Sequence, residues 1–147
     1  MRKLLLTLGL SIMTFVVFSQ APLSKGEKQL NFGLGASDKG LPVYVGMDFS
    51  IHNDVTVGPV VKFLFDDEVR FGALARVDYH WNRLLEIPSN WDFYLGANVS
   101  FLNGDELETD FGLQIGGRWY WSDKWGLNLE FGGGNGYSSS IGVSMKL

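Results

Sequence analysis

Apolar and polar residues alternate with a period of two through most of this chain, most clearly over residues 111–131, FGLQIGGRWYWSDKWGLNLEF. Nearly every second residue of this stretch is apolar, and the residues between them are glycine, polar or charged. The polar turn Ser122-Asp123-Lys124 interrupts the alternation, which then resumes on the same two faces. This pattern predicts a β-hairpin with one apolar face.

The same hairpin pattern repeats from Leu30 to the end of the chain. Polar connections separate the alternating segments, at residues 37–40, 52–54, 66–68, 82–90, 103–110, 122–124 and 132–136. They divide the chain into eight predicted strands, so the sequence predicts an all-β, eight-stranded, antiparallel up-and-down barrel. Pro59 lies inside the third strand, where the missing N–H predicts a bulge or a weakened pairing.

The first 19 residues have the composition of a secretory signal peptide. Met1-Arg2-Lys3 is basic, the run to Phe18 is almost wholly apolar, and the small residues Ser19 and Ala21 follow it. The apolar run is shorter than the ~20 residues that a membrane-spanning helix needs, which argues against an uncleaved anchor. We therefore predict a signal peptide over residues 1–19 and a barrel domain over residues 20–147. Cleavage could follow Ser19 or Ala21, and Ser19 is preferred because Pro22 would directly follow a cut after Ala21.

Composition and charge limit what this chain can bind and how it can be stabilised. The formal net charge of the full chain is −4 and falls to −6 once Arg2 and Lys3 leave with the signal, which argues against nucleic acid. The chain contains no cysteine, so disulfides cannot hold an exported domain together. No later segment is apolar enough for a transmembrane helix, and entry into a membrane would require a closed barrel.

Two barrels of opposite orientation fit eight alternating strands. A secreted, soluble lipocalin-like barrel would enclose an apolar ligand with its apolar face, whereas an outer-membrane barrel turns that face to lipid. The polar face is rich in glycine and poor in lysine and glutamate, and the strands match the ~9–11 residues that cross a bilayer at a tilt.

The positions of the aromatic residues favour the outer-membrane barrel, whose apolar face is turned to lipid. All five tryptophans fall at one predicted end of the barrel, and a second set of aromatic residues falls at the other end, as two bilayer interfaces select. The tryptophans are Trp81, Trp91, Trp119, Trp121 and Trp125, and the second set is Phe65, Phe71, Phe101, Phe111, Phe131 and Tyr137.

Three segments carry a resemblance to small outer-membrane β-barrel proteins of Gram-negative bacteria, the eight-stranded porin-like and adhesin-like barrels. They are LPVYVGMDFSIHNDVTVG (residues 41–58), RVDYHWNRLLEIPSNWDFYLG (76–96) and DKWGLNLEFGGG (123–134). The last strand is similar to that family's C-terminal assembly signal at Ser140, Gly142, Met145 and Leu147, with leucine where phenylalanine is more usual. The resemblance implies a monomer in the outer membrane, surrounded by lipid and inserted by the barrel-assembly machinery.

No catalytic or cofactor-binding constellation is evident, and we predict a non-enzymatic protein with a structural or surface-interaction role, such as membrane integrity or adhesion. His52 and His80 are expected to face inward near the Trp-rich end, as members of a polar network. An open pore is not expected, because eight strands leave room only for side chains. The acidic connections form either a solvated rim or a weak Ca²⁺ or Mg²⁺ site at Asp66, Asp67, Glu68, Asp105 and Glu106.

Register inferred from the turns predicts two buried ion pairs. Centring the second hairpin on Asn53 and the third on Asp67 places Asp48, Gly58 and Arg76 in one row, so that Arg76 can reach Asp48 across the glycine. Centring the connection between strands five and six on Asp105 places Asp92 opposite Arg118. Because enclosed charges are normally paired, we predict the salt bridges Asp48–Arg76 and Asp92–Arg118.

Overall fold

A computed structural model describes residues 22–132 and 139–147 of the chain. The predicted signal peptide and Tyr137 lie outside these described residues. Eight strands are present within them: β1 (Lys28–Ala36), β2 (Leu41–His52), β3 (Val55–Phe65), β4 (Val69–His80), β5 (Trp91–Asn103), β6 (Leu107–Tyr120), β7 (Trp125–Gly132) and β8 (Ser139–Lys146). No helix in the described part of the chain is long and apolar enough to span a membrane.

The eight strands form a closed barrel in sequence order. Each strand pairs antiparallel with the next, and β8 pairs with β1 to complete the circle. Closure leaves the barrel without a free sheet edge along these pairings, which is the condition for placing a sheet in lipid. The predicted fold class is confirmed.

The polar face of the barrel points inward. On β2, the side chain of Asp48 is 1% exposed and Tyr44 is buried, whereas Val45 is 42% exposed on the outer surface. The same alternation holds on β5, where Asp92 and Tyr94 are buried between the exposed Trp91, Phe93 and Leu95. This orientation is the reverse of the one that a soluble lipocalin-like barrel needs, and it excludes that alternative.

The strand register agrees with the one inferred from the turns. Gly58 lies opposite Arg76, and Asp92 lies opposite Arg118. Between β2 and β3, Gly46 pairs with Val60, and the next pair is Phe49 with Val57. The ladder is therefore interrupted beside Pro59, but the register is the same on both sides of the interruption. The register shift of this pair of strands falls instead between Ser50 and His52, next to the turn.

Gly58 permits a close approach of β2 and β3 beside this interruption. A Cβ atom at position 58 would lie 1.7 Å from the backbone oxygen of Met47 and 3.2 Å from the Cα of Asp48. Both neighbouring atoms belong to the backbone, so no rotamer change could relieve the clash. The glycine is therefore required by the packing of these two strands.

The segment before β1 folds back onto one end of the barrel. Leu23 is buried, the N–H of Gly26 donates to the backbone oxygen of Ser50 at 2.8 Å, and the N–H of Lys25 donates to Asn53 Oδ1 at 3.1 Å. The sequence shows this segment as a polar leader without periodicity. Its single leucine nevertheless anchors it against the barrel end.

Candidate functional site

The centre of the barrel is organised by Arg118, whose side chain is 2% exposed. Its Nη1 lies 2.8 Å from Asp92 Oδ2, and its Nη2 lies 2.7 Å from Asp48 Oδ2. The guanidinium also lies over the ring of Tyr94, 4.4 Å from the ring centroid. Asp92 and Arg118, one of the two expected pairs, are thus in contact, and Arg118 holds a second carboxylate that the register did not assign to it.

The other expected pair, Asp48–Arg76, is wrong. Arg76 donates from Nε to Asp78 Oδ2 at 2.6 Å and from Nη2 to Glu130 Oε2 at 2.7 Å. Asp78 lies two residues along the same strand and therefore on the same inward face, and Glu130 reaches Arg76 across the lumen. These two carboxylates occupy the guanidinium of Arg76, while Arg118 engages Asp48 from the opposite wall.

His80 belongs to this interior network. Its Nδ1 lies 2.7 Å from Asp92 Oδ1, and its Nε2 lies 2.9 Å from the hydroxyl of Thr56. The hydroxyl–imidazole–carboxylate order resembles that of a hydrolytic triad, but all three side chains are buried inside the barrel and expose no surface to a substrate. The contact with His80 orients the Asp92 carboxylate and gives it a buried partner. His52 was expected inside as well, but it lies exposed at the β2–β3 turn, where the register shift rotates it outward.

Neutral side chains connect the charged groups across the lumen. Asn31 Nδ2 donates to Asp48 Oδ2 at 2.8 Å, Ser144 Oγ donates to Asn31 Oδ1 at 2.7 Å, and Asn128 Nδ2 donates to Ser144 Oγ at 3.0 Å. Tyr44 continues the chain by donating its hydroxyl to Asn128 Oδ1 at 2.7 Å. Within the described residues, the buried polar side-chain atoms that lack a partner are Asn98 Oδ1 and Arg118 Nε.

Little free volume remains at this level of the barrel. An interior cavity of about 20 Å³ lies among Tyr44, Arg76, Arg118, Asn128 and Glu130. A cavity needs roughly 10–15 Å³ to hold a single water molecule, so this space accommodates about one water and no larger solute.

The acidic rim is the barrel end formed by the β3–β4 and β5–β6 connections. Its open cavity of about 640 Å³ is lined by Asp66, Asp67, Glu68, Asp105 and Glu106, so the structure brings together all five residues considered as cation ligands. In the part of the chain that the structure describes, however, no three acidic or histidine side chains are arranged to hold a metal ion. Lys39 pairs with Glu108 at 2.7 Å on the same rim.

The Trp rim is the opposite barrel end, formed by Trp81, Trp91, Trp119, Trp121 and Trp125. The ring centroids of Trp91 and Trp119 lie 6.4 Å apart, as do those of Trp119 and Trp121. Arg83, in the β4–β5 connection, donates twice to Asp54 at 2.6 Å and ties this connection to the β2–β3 turn. The hydrogen bonds to Asp54, together with the negative charge of that carboxylate, raise the pKa of Arg83.

The residues of the proposed assembly signal belong to the strand that closes the barrel. Ser140 faces the interior, Gly142 packs beside Gly33 of β1, and Met145 lies between Leu30 and Trp125. The N–H of Leu147 donates to the backbone oxygen of Lys28 at 2.9 Å. The C-terminal residues therefore belong to the β1–β8 pairing that closes the barrel.

Comparison with known proteins finds no matching family model and no matching curated protein. Solved structures do match. The N-terminal β-barrel domain of Pseudomonas aeruginosa OprF is 10% identical, covers 85% of this chain and 100% of its own, and superposes with a TM-score of 0.67. A designed transmembrane β-barrel is 13% identical over 85% of this chain and 98% of its own, with a TM-score of 0.69. The designed barrel TMB2.3, solved by NMR, is 16% identical over 84% and 96%, with a TM-score of 0.59.

These similarities define the class of fold. The chain has the fold of the eight-stranded transmembrane β-barrels, with the architecture of the small outer-membrane barrels that the three segments and the last strand resemble.

Proposed function

We propose that this protein is a filled, non-enzymatic barrel of the outer membrane that acts through its stability and its exposed rim rather than by conducting solutes. It reaches the membrane after removal of residues 1–19, is inserted by the barrel-assembly machinery through its last strand, and remains monomeric in lipid. Its role is structural or interactive, in membrane integrity or in adhesion.

The observation that carries this proposal is the filled interior. Arg118 and Arg76 each bind two carboxylates inside the barrel, one of which is reached across the lumen, Asp48 by Arg118 and Glu130 by Arg76, and the remaining space at that level is about one water in size. A solute could cross only if several buried ion pairs broke together, and removing one partner of such a pair costs about 3–5 kcal/mol.

Conductance across a planar lipid bilayer tests the filled interior. The purified barrel should give no stable channel steps. A variant with both arginines removed, Arg76→Gln with Arg118→Gln, opens the charge network and is the control that shows whether small currents can be detected. Regular steps from the unaltered chain would overturn the proposal.

We infer the orientation in the membrane from the two ends of the barrel domain. Leu23 and Leu147 both lie at the Trp rim, on the same side as the β2–β3, β4–β5 and β6–β7 turns. An outer-membrane barrel with an even number of strands starts and ends on the periplasmic side, which supports an acidic rim that faces outward. An epitope tag inserted at Glu106 should be labelled on intact cells, and a tag at Asp123 should require permeabilised cells. Labelling of intact cells at Asp123 would reverse this orientation.

The acidic rim supports an interactive role over a purely structural one. Two connections converge there on an open concave surface of about 640 Å³ whose charged lining residues are acidic except for Arg70, and a surface that is mainly of one sign attracts and orients partners of the other sign. Neutralising Asp66, Asp67 and Glu68 together should reduce adhesion to cationic surfaces without changing resistance to detergents. If the triple variant instead altered detergent resistance alone, the role would be structural.

A further inference from the structure

The outer wall of the barrel carries an apolar groove that is separate from the interior cavity. It has a volume of about 440 Å³ and crosses β5, β6 and β7 on the face that points away from the lumen. The side chains along it are Trp91, Phe93, Trp119, Leu127, Leu129 and Phe131, and its surface is almost wholly apolar. Its volume lies within the range of small-molecule binding sites.

The groove is formed where β6 carries a glycine, Gly117, at an outward position. This glycine lies opposite Phe93 on β5 and Leu129 on β7, where the neighbouring outward positions carry large side chains. A Cβ at this position would lie 3.1 Å from the ring of Phe93, so the ring of Phe93 lies close to the bare backbone. The missing side chain leaves a depression between two walls of aromatic and aliphatic groups.

The groove is continuous with the Trp rim. The register places Trp91 beside Trp119 at one end, Phe93 and Leu129 beside Gly117 in the middle, and Phe131 beside Ile115 at the other end. Four residues of strand separate the two ends, a length of about 13 Å at ~3.3 Å per residue. Tryptophans of transmembrane barrels lie at the level of the lipid headgroups, so the groove begins at a headgroup layer and runs from there into the hydrocarbon.

These observations indicate which ligand the groove binds. The groove runs along the outer wall from the headgroup level at Trp91 and Trp119 into the hydrocarbon, and a flexible acyl chain can follow a narrow depression that the convex wall of a second barrel would bridge. We propose that the groove binds one acyl chain of a phospholipid of the Trp-rim leaflet, with the headgroup beside Trp91 and Trp119. This proposal rests on the placement of the barrel in a membrane.

Lipid retention by the purified protein tests the proposal. The barrel is extracted from phospholipid vesicles into a mild detergent and weighed by native mass spectrometry. Gly117→Phe fills the groove, and Ala97→Phe adds the same side chain at an outward position of β5 that does not line it. Unaltered protein and Ala97→Phe should retain one phospholipid, and Gly117→Phe should retain it about tenfold less, equivalent to 1.4 kcal/mol.

A second measurement needs no variant. Vesicles containing a phospholipid with a photoreactive acyl chain should give adducts concentrated on Trp91–Phe93 and Leu127–Phe131. Adducts spread evenly over the outward positions, retention of lipid by Gly117→Phe, or a dimer mass in place of a lipid-bound monomer would each overturn the proposal. Shifted migration of the unheated protein on gels reports folding into the membrane separately, so a failure of the barrel assignment is distinguishable from a failure of the lipid site.

Discussion

Replacing Arg118 by glutamine removes the cation at the centre of the barrel and should destabilise the folded state strongly. The guanidinium is 2% exposed and lies within 2.8 Å of two carboxylates. Without it, Asp48 keeps the amide of Asn31 and Asp92 keeps the imidazole of His80, so both carboxylates remain buried with only part of their pairing. An uncompensated buried charge costs about 3–5 kcal/mol, which we expect for this variant.

The assay is folding into lipid vesicles over a range of urea concentrations, followed by tryptophan fluorescence and by the shifted migration of unheated protein. Arg83→Gln is the matched control. It removes a guanidinium that makes two equally short contacts to Asp54, but its side chain is half exposed and solvent screens the pair. If Arg118→Gln lowered the free energy of unfolding no more than Arg83→Gln does, the reasoning about buried pairing would be refuted.

A double-mutant cycle then separates the two possible partners of Asp48. Asp48→Asn should couple strongly with Arg118→Gln, because the two side chains share a 2.7 Å contact. Its coupling with Arg76→Gln should be clearly smaller, because Arg76 is bound to Asp78 and Glu130.

The remaining predictions concern the lipid face and the backbone. Val45→Arg, in the middle of the outer face of β2, should cost about 2–4 kcal/mol of folding free energy in vesicles, whereas Ile51→Arg near the end of the same face should cost about 0–1 kcal/mol. Equal costs would contradict the assigned membrane depth. Gly58→Ala should destabilise by about 3 kcal/mol or more, since its Cβ would overlap the oxygen of Met47. Gly104→Ala, with its nearest atom 3.5 Å away, should be close to neutral, and similar urea midpoints for the two alanine variants would show that the strand approach at position 58 is not tight.

Alternation and turns were sufficient to predict the number of strands, the inward face and most of the register. The predicted connection over residues 103–110 is wrong in extent, because β6 begins at Leu107 and residues 107–110 pair with the end of β5. A shift of one residue moves every side chain of a strand to the opposite face, so a face that must stay apolar constrains the register strongly. This is why Asp92 opposite Arg118, and Gly58 opposite Arg76, could be placed from the sequence alone.

The choice of ion-pair partner could not be predicted in the same way. Register describes neighbours around the wall, whereas Arg118 reaches Asp48 across the lumen, from β6 to β2. In a barrel of eight strands the lumen is narrow enough for opposite walls to touch. One signal was present in the sequence, since Arg76 and Asp78 lie two residues apart on the inward face. The burial of Leu23 had no comparable signal, because the leader has no periodicity.

The most direct test of the inward polar face and the lipid-facing outer face is a spin-label scan, which the absence of cysteine makes practicable. Single cysteines are placed along β2 and β5 and labelled, and the barrel is folded into phospholipid vesicles. Labels at Val43, Val45, Leu95 and Ala97 should collide freely with oxygen, which dissolves in hydrocarbon, and rarely with a water-soluble nickel complex. Frequent collisions with nickel at these outward positions would show that water, and not lipid, surrounds the barrel.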